Sequence, residues 1–144
     1  MLTLDYFKNY LQSYLKDHGF DPEDLEAPIV QNNADNANDT FEKMRRAGHS
    51  VDEAIEIALQ DLFIGIGESP REVLANILVN DYKKRIKVDD QQFLEYWIEE
   101  FEKQYVIMQE FRLKDGLGLD PQVLEGSRGD FKHRIDQYLN IHGL

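Results

Sequence analysis

Residues able to do chemistry are present in this chain, but their spacing assembles no recognisable catalytic or metal site. None of the four histidines has a second histidine three or four residues away, which excludes the helical zinc pattern; they are His18, His49, His133 and His142. His49 and Glu53 could share a helix face, and Glu53 and Glu56 form an acid pair. Paired carboxylates catalyse when they converge in a cleft, whereas these are predicted on an outer face. The sequence therefore predicts no catalytic, cofactor-binding or metal-ligating residue.

An enzyme remains an alternative if residues that are distant in the sequence form a catalytic site in the folded protein. It would require a pocket that holds at least two of four side chains within hydrogen-bond reach of one another: His49, Glu53, Glu56 and Tyr82.

Gly65 and Gly67 raise the question of a phosphate-binding loop. The third glycine of a dinucleotide fingerprint and the lysine of a P-loop are both missing, and Glu68 would place negative charge where phosphate should lie. The helical period also continues up to this turn. Both glycines are therefore predicted to take the positive φ that ends a helix and turns the chain.

The chain is strongly acidic, with 28 acids against 16 basic residues and a net charge of −12. This balance opposes direct binding to nucleic acid or to an anionic membrane. Residues 49–81 carry seven acids and one base, which is half of the excess. Their face is either solvated for solubility or a docking surface for a basic protein partner.

Two amphipathic patterns in this acidic stretch begin with the same capping signal. Ser50 and Ser69 are each followed three residues later by a glutamate, Glu53 or Glu72, which is typical of a helix start. The glycine turn lies between the two patterns. The sequence therefore predicts a central helical hairpin.

A helix from Leu4 to Asp17 is predicted by apolar residues at helical spacing. Tyr6, Tyr10 and Tyr14 form a second stripe beside them, which is either the rim of the core or a contact surface for another chain. Together with Glu53 and Glu56, these tyrosines are the candidate interaction residues.

The remaining elements follow from periodicity and turn residues. A helix from Pro28 to Ala47 should pack through Ala34 and Ala37, and its cluster of four asparagines predicts hydrogen bonding between helices, a solvated face or, less favoured, a ligand site. An aromatic helix is predicted from Gln91 to Lys114, to be covered by the C-terminal segment or by a second subunit. Residues 115–130 are predicted as a loop before a last helix from Phe131 to about His142.

These patterns predict one all-α domain, residues 1–144, of about six helices and no significant sheet; two lobes, 1–88 and 89–144, could share its core. The chain has no cysteine, which excludes disulfides and thiolate metal sites. It shows neither a secretory signal nor an apolar run long enough for a membrane span. A cytoplasmic location is expected.

Residues 4–82 resemble a family of small all-helical bacterial proteins of unknown function, found in gut and oral anaerobes and often near conjugative transposon genes. The resemblance is carried by helix-core, cap and turn positions that include Tyr6, Phe7, Tyr14, Leu15, Ala34, Ala37, Phe41, Arg46, Gly48, Ala54, Ala58, Leu62, Ser69, Leu74 and Leu78. It implies an accessory bacterial cytoplasmic protein and brings no catalytic residues to carry over.

The leading hypothesis is a non-enzymatic accessory protein that binds another protein, which could be basic. Self-association through the aromatic helix Gln91 to Lys114 is a further expectation. Besides the enzyme, the alternative is an acidic protein that imitates nucleic-acid charge to inhibit a basic DNA-binding protein. Such a mimic needs carboxylates in a row spaced like backbone phosphates.

Overall fold

A computed structural model describes residues 5–85, 89–103, 110–126 and 128–143. Within these ranges the chain forms seven α-helices, one 3-10 turn at Asp24–Glu26 and no strand, which confirms the predicted all-α fold. The helices are α1 (Tyr6–Asp17), α2 (Pro28–Arg46), α3 (Val51–Leu62), α4 (Pro70–Asp81), α5 (Gln91–Glu102), α6 (Pro121–Gly126) and α7 (Arg128–Ile141). No helix in the described ranges is long and apolar enough to cross a bilayer.

The chain divides into two compact units, a first unit of residues 1–66 and a second unit of residues 67–144. The two helices of the predicted hairpin fall on different sides of this division. α3 packs against α2 in the first unit, and α4 packs against α5 in the second. Both helices begin as predicted, because the hydroxyl oxygens of Ser50 and Ser69 accept hydrogen bonds from the N–H groups of Glu53 and Glu72.

The first unit buries apolar residues from each of its three α-helices. α1 contributes Phe7, Leu11 and Leu15, all fully buried. Ala34 and Ala37 of α2 are also buried, as predicted, and such small side chains allow close approach of the neighbouring backbone. Leu4, the first residue of the predicted helix, lies outside the described residues.

Asn33 is the one member of the asparagine cluster that is buried, with 7% of its surface exposed. Its side-chain amide donates hydrogen bonds to the carbonyl oxygens of Leu62 and Ile64, at 3.0 and 2.7 Å. The last carbonyls of a helix have no partner within that helix. Asn33 therefore ties α2 to the end of α3, which confirms the predicted hydrogen bonding between helices at this position.

Replacing Asn33 by alanine should lower the free energy of unfolding of the first unit by about 1–3 kcal/mol, because two carbonyls lose their amide donor. Urea denaturation followed by circular dichroism measures the change. Asn32→Ala is the control: Asn32 is exposed on the same helix, so its loss should change stability by less than about 0.5 kcal/mol. Equal effects of the two substitutions would contradict the proposed role of Asn33.

The second unit is built around aromatic rings from α5, α7 and residue 111. Phe101 and Tyr138 have ring centroids 4.7 Å apart, and those of Phe111 and Phe131 lie 4.9 Å apart. These rings belong to one buried cluster with Trp97. The sequence predicted that either the C-terminal segment or a second subunit would pack against the aromatic helix. The structure shows the C-terminal segment in this position, because α7 packs against α5.

The predicted length of the aromatic helix is wrong, because α5 ends at Glu102. Residues 104–109 lie outside the described part, and residues 110–114 form turns and a β-bridge. Their backbone bonds to a later segment: Asp120 N–H donates to Phe111 C=O, and Leu113 N–H donates to Gly118 C=O. Phe111 is nevertheless buried in the same core. The helical spacing of apolar residues therefore extends to a residue that is not in the helix.

The predicted loop 115–130 is also wrong in its second half. α6 occupies Pro121–Gly126, and α7 begins at Arg128, three residues before the predicted Phe131. The Asp120 carboxylate accepts a hydrogen bond from the Gln122 N–H at 3.0 Å, with Pro121 at the first helical position. Aspartate followed by proline is itself a helix-start signal, which the four glycines of this stretch obscured.

Gly65 and Gly67 have different roles. Gly65 has a φ of 76°, as predicted for the turn after α3, but Gly67 does not take a positive φ. Gly67 N–H donates to Leu117 C=O at 2.7 Å, and a Cβ placed on Gly67 would lie 2.1 Å from the Leu119 carbonyl oxygen. Glycine is therefore required at position 67 by the close approach of two backbone segments, which corrects the prediction.

Gly67→Ala should destabilise the second unit by about 1–3 kcal/mol, because the Leu119 carbonyl cannot move aside as a flexible side chain would. The only tryptophan of the chain, Trp97, belongs to the core of this unit, so urea unfolding can be followed by its fluorescence. Gly129→Ala is the matched control, since a Cβ there meets nothing within 4 Å and glycine is unfavourable in a helix. Gly129→Ala should be neutral or stabilising, and an unaltered unfolding midpoint for Gly67→Ala would refute the packing argument.

Candidate functional site

The three predicted tyrosines form an aromatic surface on the first unit. Tyr6, Tyr10 and Tyr14 are one turn apart on α1, beside its buried face. Phe63, the residue that follows α3, joins them: its ring centroid is 6.2 Å from that of Tyr10 and 4.8 Å from that of Tyr14. Tyr6 continues the row, 6.3 Å from Tyr10. These four residues are called the tyrosine surface below.

Part of the tyrosine surface is open to solvent. Tyr10 is 41% exposed, and Ile64, which follows Phe63 in the chain, is 63% exposed. A shallow groove of about 450 Å³ runs along the tyrosines and is bordered by Asn9, Ser13 and Asp17. Rings beside hydrogen-bonding side chains are typical of the surfaces through which proteins bind one another.

Glu53 and Glu56, the other candidate interaction residues, lie in the first half of α3 and are exposed. Phe63 follows the other end of the same helix, ten residues after Glu53, which is about 15 Å along the axis. The structure thus gathers the tyrosines into one surface and leaves the two glutamates outside it.

Glu53 makes a local contact at the start of α3. Its carboxylate lies 3.0 Å from His49 Nδ1, and both side chains are substantially exposed. Hydrogen bonds from His49 and then from Ser50 lower the pKa of the Glu53 carboxyl from its ordinary value of 4.5. This pair orders a helix start on an open surface rather than forming a catalytic pocket.

Because the folded-state pKa of Glu53 is lowered, the stabilisation from its ionised form is present above its ordinary pKa and is lost as the pH falls through the lowered value. In His49→Ala the pKa of Glu53 should rise towards 4.5, as measured by NMR titration of the side-chain carboxyl. His18→Ala, which removes a histidine elsewhere in the first unit, should leave the midpoint in place. An unshifted Glu53 midpoint in His49→Ala would contradict this assignment.

Tyr82, the remaining residue of the enzyme alternative, has a structural contact in the second unit. It is 5% exposed, and its hydroxyl donates a hydrogen bond to the carbonyl oxygen of Lys132 at 3.1 Å. Burial and the neighbouring Asp136 raise the pKa of the Tyr82 hydroxyl above its ordinary value. The hydroxyl is therefore held protonated as a link between α4 and α7.

A polar groove of about 360 Å³ lies between α2 and the end of α3. It is lined by Asn36, Asp39, Thr40, Lys43, Asp61 and Ile64. The Thr40 hydroxyl donates a hydrogen bond to the Asp61 carboxylate, which joins the two helices. Across the part of the chain that the structure describes, no three His, Cys, Asp or Glu side chains are placed to hold a metal ion.

A cleft of about 430 Å³ in the second unit was missed by sequence reasoning. Its lining residues come from α4, α6, α7 and the segment just before α4: Glu68, Val73, Asn76, Ile77, Pro121, Leu124, Glu125 and Phe131. We call it the acidic cleft, after its two carboxylates. No local pattern could have found it, because Glu68 and Glu125 lie far apart in the sequence.

The described helices define an all-α protein that has an exposed aromatic surface and an acidic cleft. The chain belongs to the family described as a domain of unknown function (DUF1896), whose model matches residues 2–122. This confirms the resemblance to a family of gut and oral anaerobes and extends it well beyond residue 82.

A solved structure has the same fold: protein PG0816 from Porphyromonas gingivalis. The similarity covers 96% of this chain and 89% of that one, with a TM-score of 0.69 and 19% sequence identity. Among proteins with curated descriptions, none matches this chain.

Proposed function

We propose that this protein is a non-enzymatic accessory protein of the bacterial cytoplasm that acts by binding another protein through the tyrosine surface. One observation carries the proposal: a continuous row of aromatic rings on the first unit, in which Tyr10 is 41% exposed.

Tyrosines in such a row suit protein binding for physical reasons. Each ring offers a large apolar area and loses little conformational freedom when it is covered. The edge-to-face contacts of Tyr10 and Tyr14 with Phe63 already hold the rings in place. Binding energy at protein interfaces is concentrated in a few residues of this kind, so Tyr10 should contribute strongly.

Charge points to the nature of the partner. The net charge of −12 attracts a basic protein and repels an acidic one. Asp17 borders the tyrosine groove itself. We therefore propose a basic protein partner, whose association weakens as salt screens the charges.

The two alternative functions have less support. A nucleic-acid mimic needs a row of carboxylates free of cations, whereas acids of the second unit pair with basic side chains: Glu95 with Arg71, Asp136 with Arg85 and Asp81 with Lys132. The enzyme hypothesis needs a pocket that gathers at least two of His49, Glu53, Glu56 and Tyr82, and the His49–Glu53 pair lies on an exposed helix start instead.

The test compares two double variants in a binding assay. Wild-type protein carrying a photo-crosslinker at position 13, beside Tyr10, first identifies the partner in extract of the native organism. Binding of that purified partner to Y10S/I64S should then be at least about tenfold weaker than to wild type, a loss of about 1.4 kcal/mol. Surface plasmon resonance measures the affinity.

The control is Y96S/V79S, which also removes one exposed tyrosine and one exposed aliphatic side chain, but from the second unit. Its affinity for the partner should match that of wild type. Equal weakening in both variants, or full binding by Y10S/I64S, would overturn the assignment to the tyrosine surface. Because Tyr96 lies on α5, light scattering of Y96S/V79S also tests self-association through that helix: a mass below that of wild type would indicate it.

A further inference from the structure

We propose that the acidic cleft of the second unit binds a lysine or arginine side chain from a basic segment of a protein partner. This site shares no residue with the tyrosine surface and does not depend on its role. The proposal rests on two features of the cleft: an apolar floor, and two carboxylates at the rim that form no ion pair with a described side chain.

The floor of the cleft is formed by core side chains. Phe131, Ile77 and Leu124 have 0%, 3% and 8% of their surface exposed, and Val73 beside them is half-buried. These residues belong to or pack against the aromatic core of the second unit, so the floor is fixed. Lysine and arginine place an aliphatic stem on apolar surface and keep the charged end at its edge.

The rim carries the complementary charge. The Glu68 backbone is held by two hydrogen bonds to Leu119, in which Glu68 N–H donates at 2.9 Å and Glu68 C=O accepts at 2.8 Å. Glu125 lies on α6, at another edge of the cleft. Both side chains are exposed, and the Asn76 amide, which also lines the cleft, adds a hydrogen-bonding group.

Among the side chains that the structure describes, neither rim carboxylate forms an ion pair and no lysine or arginine lines the cleft. Elsewhere in the same unit, acids near the core have a basic partner, as Glu95 does in Arg71 and Asp81 does in Lys132. A cation placed over the apolar floor would complete the same arrangement at the cleft.

Other ligand classes fit less well. Phosphate and carboxylate ligands would be repelled by Glu68 and Glu125. An apolar ligand would leave two carboxylates at the edge of a dry contact, which costs desolvation energy. An ammonium or guanidinium group on a long stem satisfies both the floor and the rim.

The test uses two short capped peptides of equal positive charge. One contains lysines, and the other contains diaminopropionic acid, whose ammonium is carried on a single methylene. Isothermal titration calorimetry on the full chain at low salt should show the lysine peptide binding about fivefold more tightly, because only its stem reaches across the floor. In NMR spectra of the wild-type protein, the Asn76 side-chain amide should shift during the titration.

Matched charge variants separate this site from general attraction to an acidic protein. E68Q/E125Q should weaken lysine-peptide binding about fivefold or more, whereas E53Q/E56Q removes the same charge from α3 and should change it by less than about twofold. The Y10S/I64S variant should bind the peptide like wild type, which distinguishes this proposal from the proposed function.

Three results would overturn the proposal: equal weakening by the two charge variants, equal affinity for the two peptides, or peptide-induced shifts that omit Asn76. Spermidine serves as a further probe. If it bound more tightly than the lysine peptide, the cleft would be assigned to a small polyamine instead of a protein segment.

Discussion

The backbone hydrogen bonds between residues 67–68 and residues 117–119 are the constraint on which the second unit depends. They hold the start of α4 beside the segment that leads into α6, although the two are distant in the chain. Only a glycine at position 67 allows this approach. Because Glu68 precedes α4 and Glu125 lies on α6, the same contact brings the two carboxylates to one cleft. A short stretch of backbone pairing thus positions the start of α4 against the segment before α6 and forms the cleft between them.

In the first unit, a side chain rather than backbone pairing connects two distant segments. α3 ends at Leu62, and its last carbonyls need donors; the buried amide of Asn33 supplies two hydrogen bonds there. Phe63 follows directly and completes the aromatic row on α1. The Asn33 amide, which bonds to the end of α3, therefore also helps to position the Phe63 ring, which contacts Tyr10 and Tyr14. One short segment thus serves both the stability of this unit and the proposed binding surface.

Both proposed binding surfaces combine apolar area with negative charge, which matches a protein of net charge −12. The tyrosine surface has rings bordered by Asp17, and the acidic cleft has an apolar floor bordered by Glu68 and Glu125. In the proposed complexes, apolar contact would supply affinity, while charge would select a basic partner and speed association. The reactive side chains instead have structural contacts: Glu53 orders a helix start, and Tyr82 joins two helices.

The sequence by itself determined the all-α class, the starts of α3 and α4, the buried faces of α1 and α2, and the tyrosine row. These features are local: each follows from residues within a few helical turns, such as Ser50 with Glu53 or Tyr10 with Tyr14. Only the tertiary structure decided the end of the aromatic helix, the role of Gly67 and the acidic cleft. Each of these features depends on residues that are distant in the chain, so the spacing of apolar residues cannot reveal it. Phe111 shows this: its ring keeps the helical spacing because it is buried in the core, whereas its backbone carbonyl accepts a hydrogen bond from Asp120 N–H.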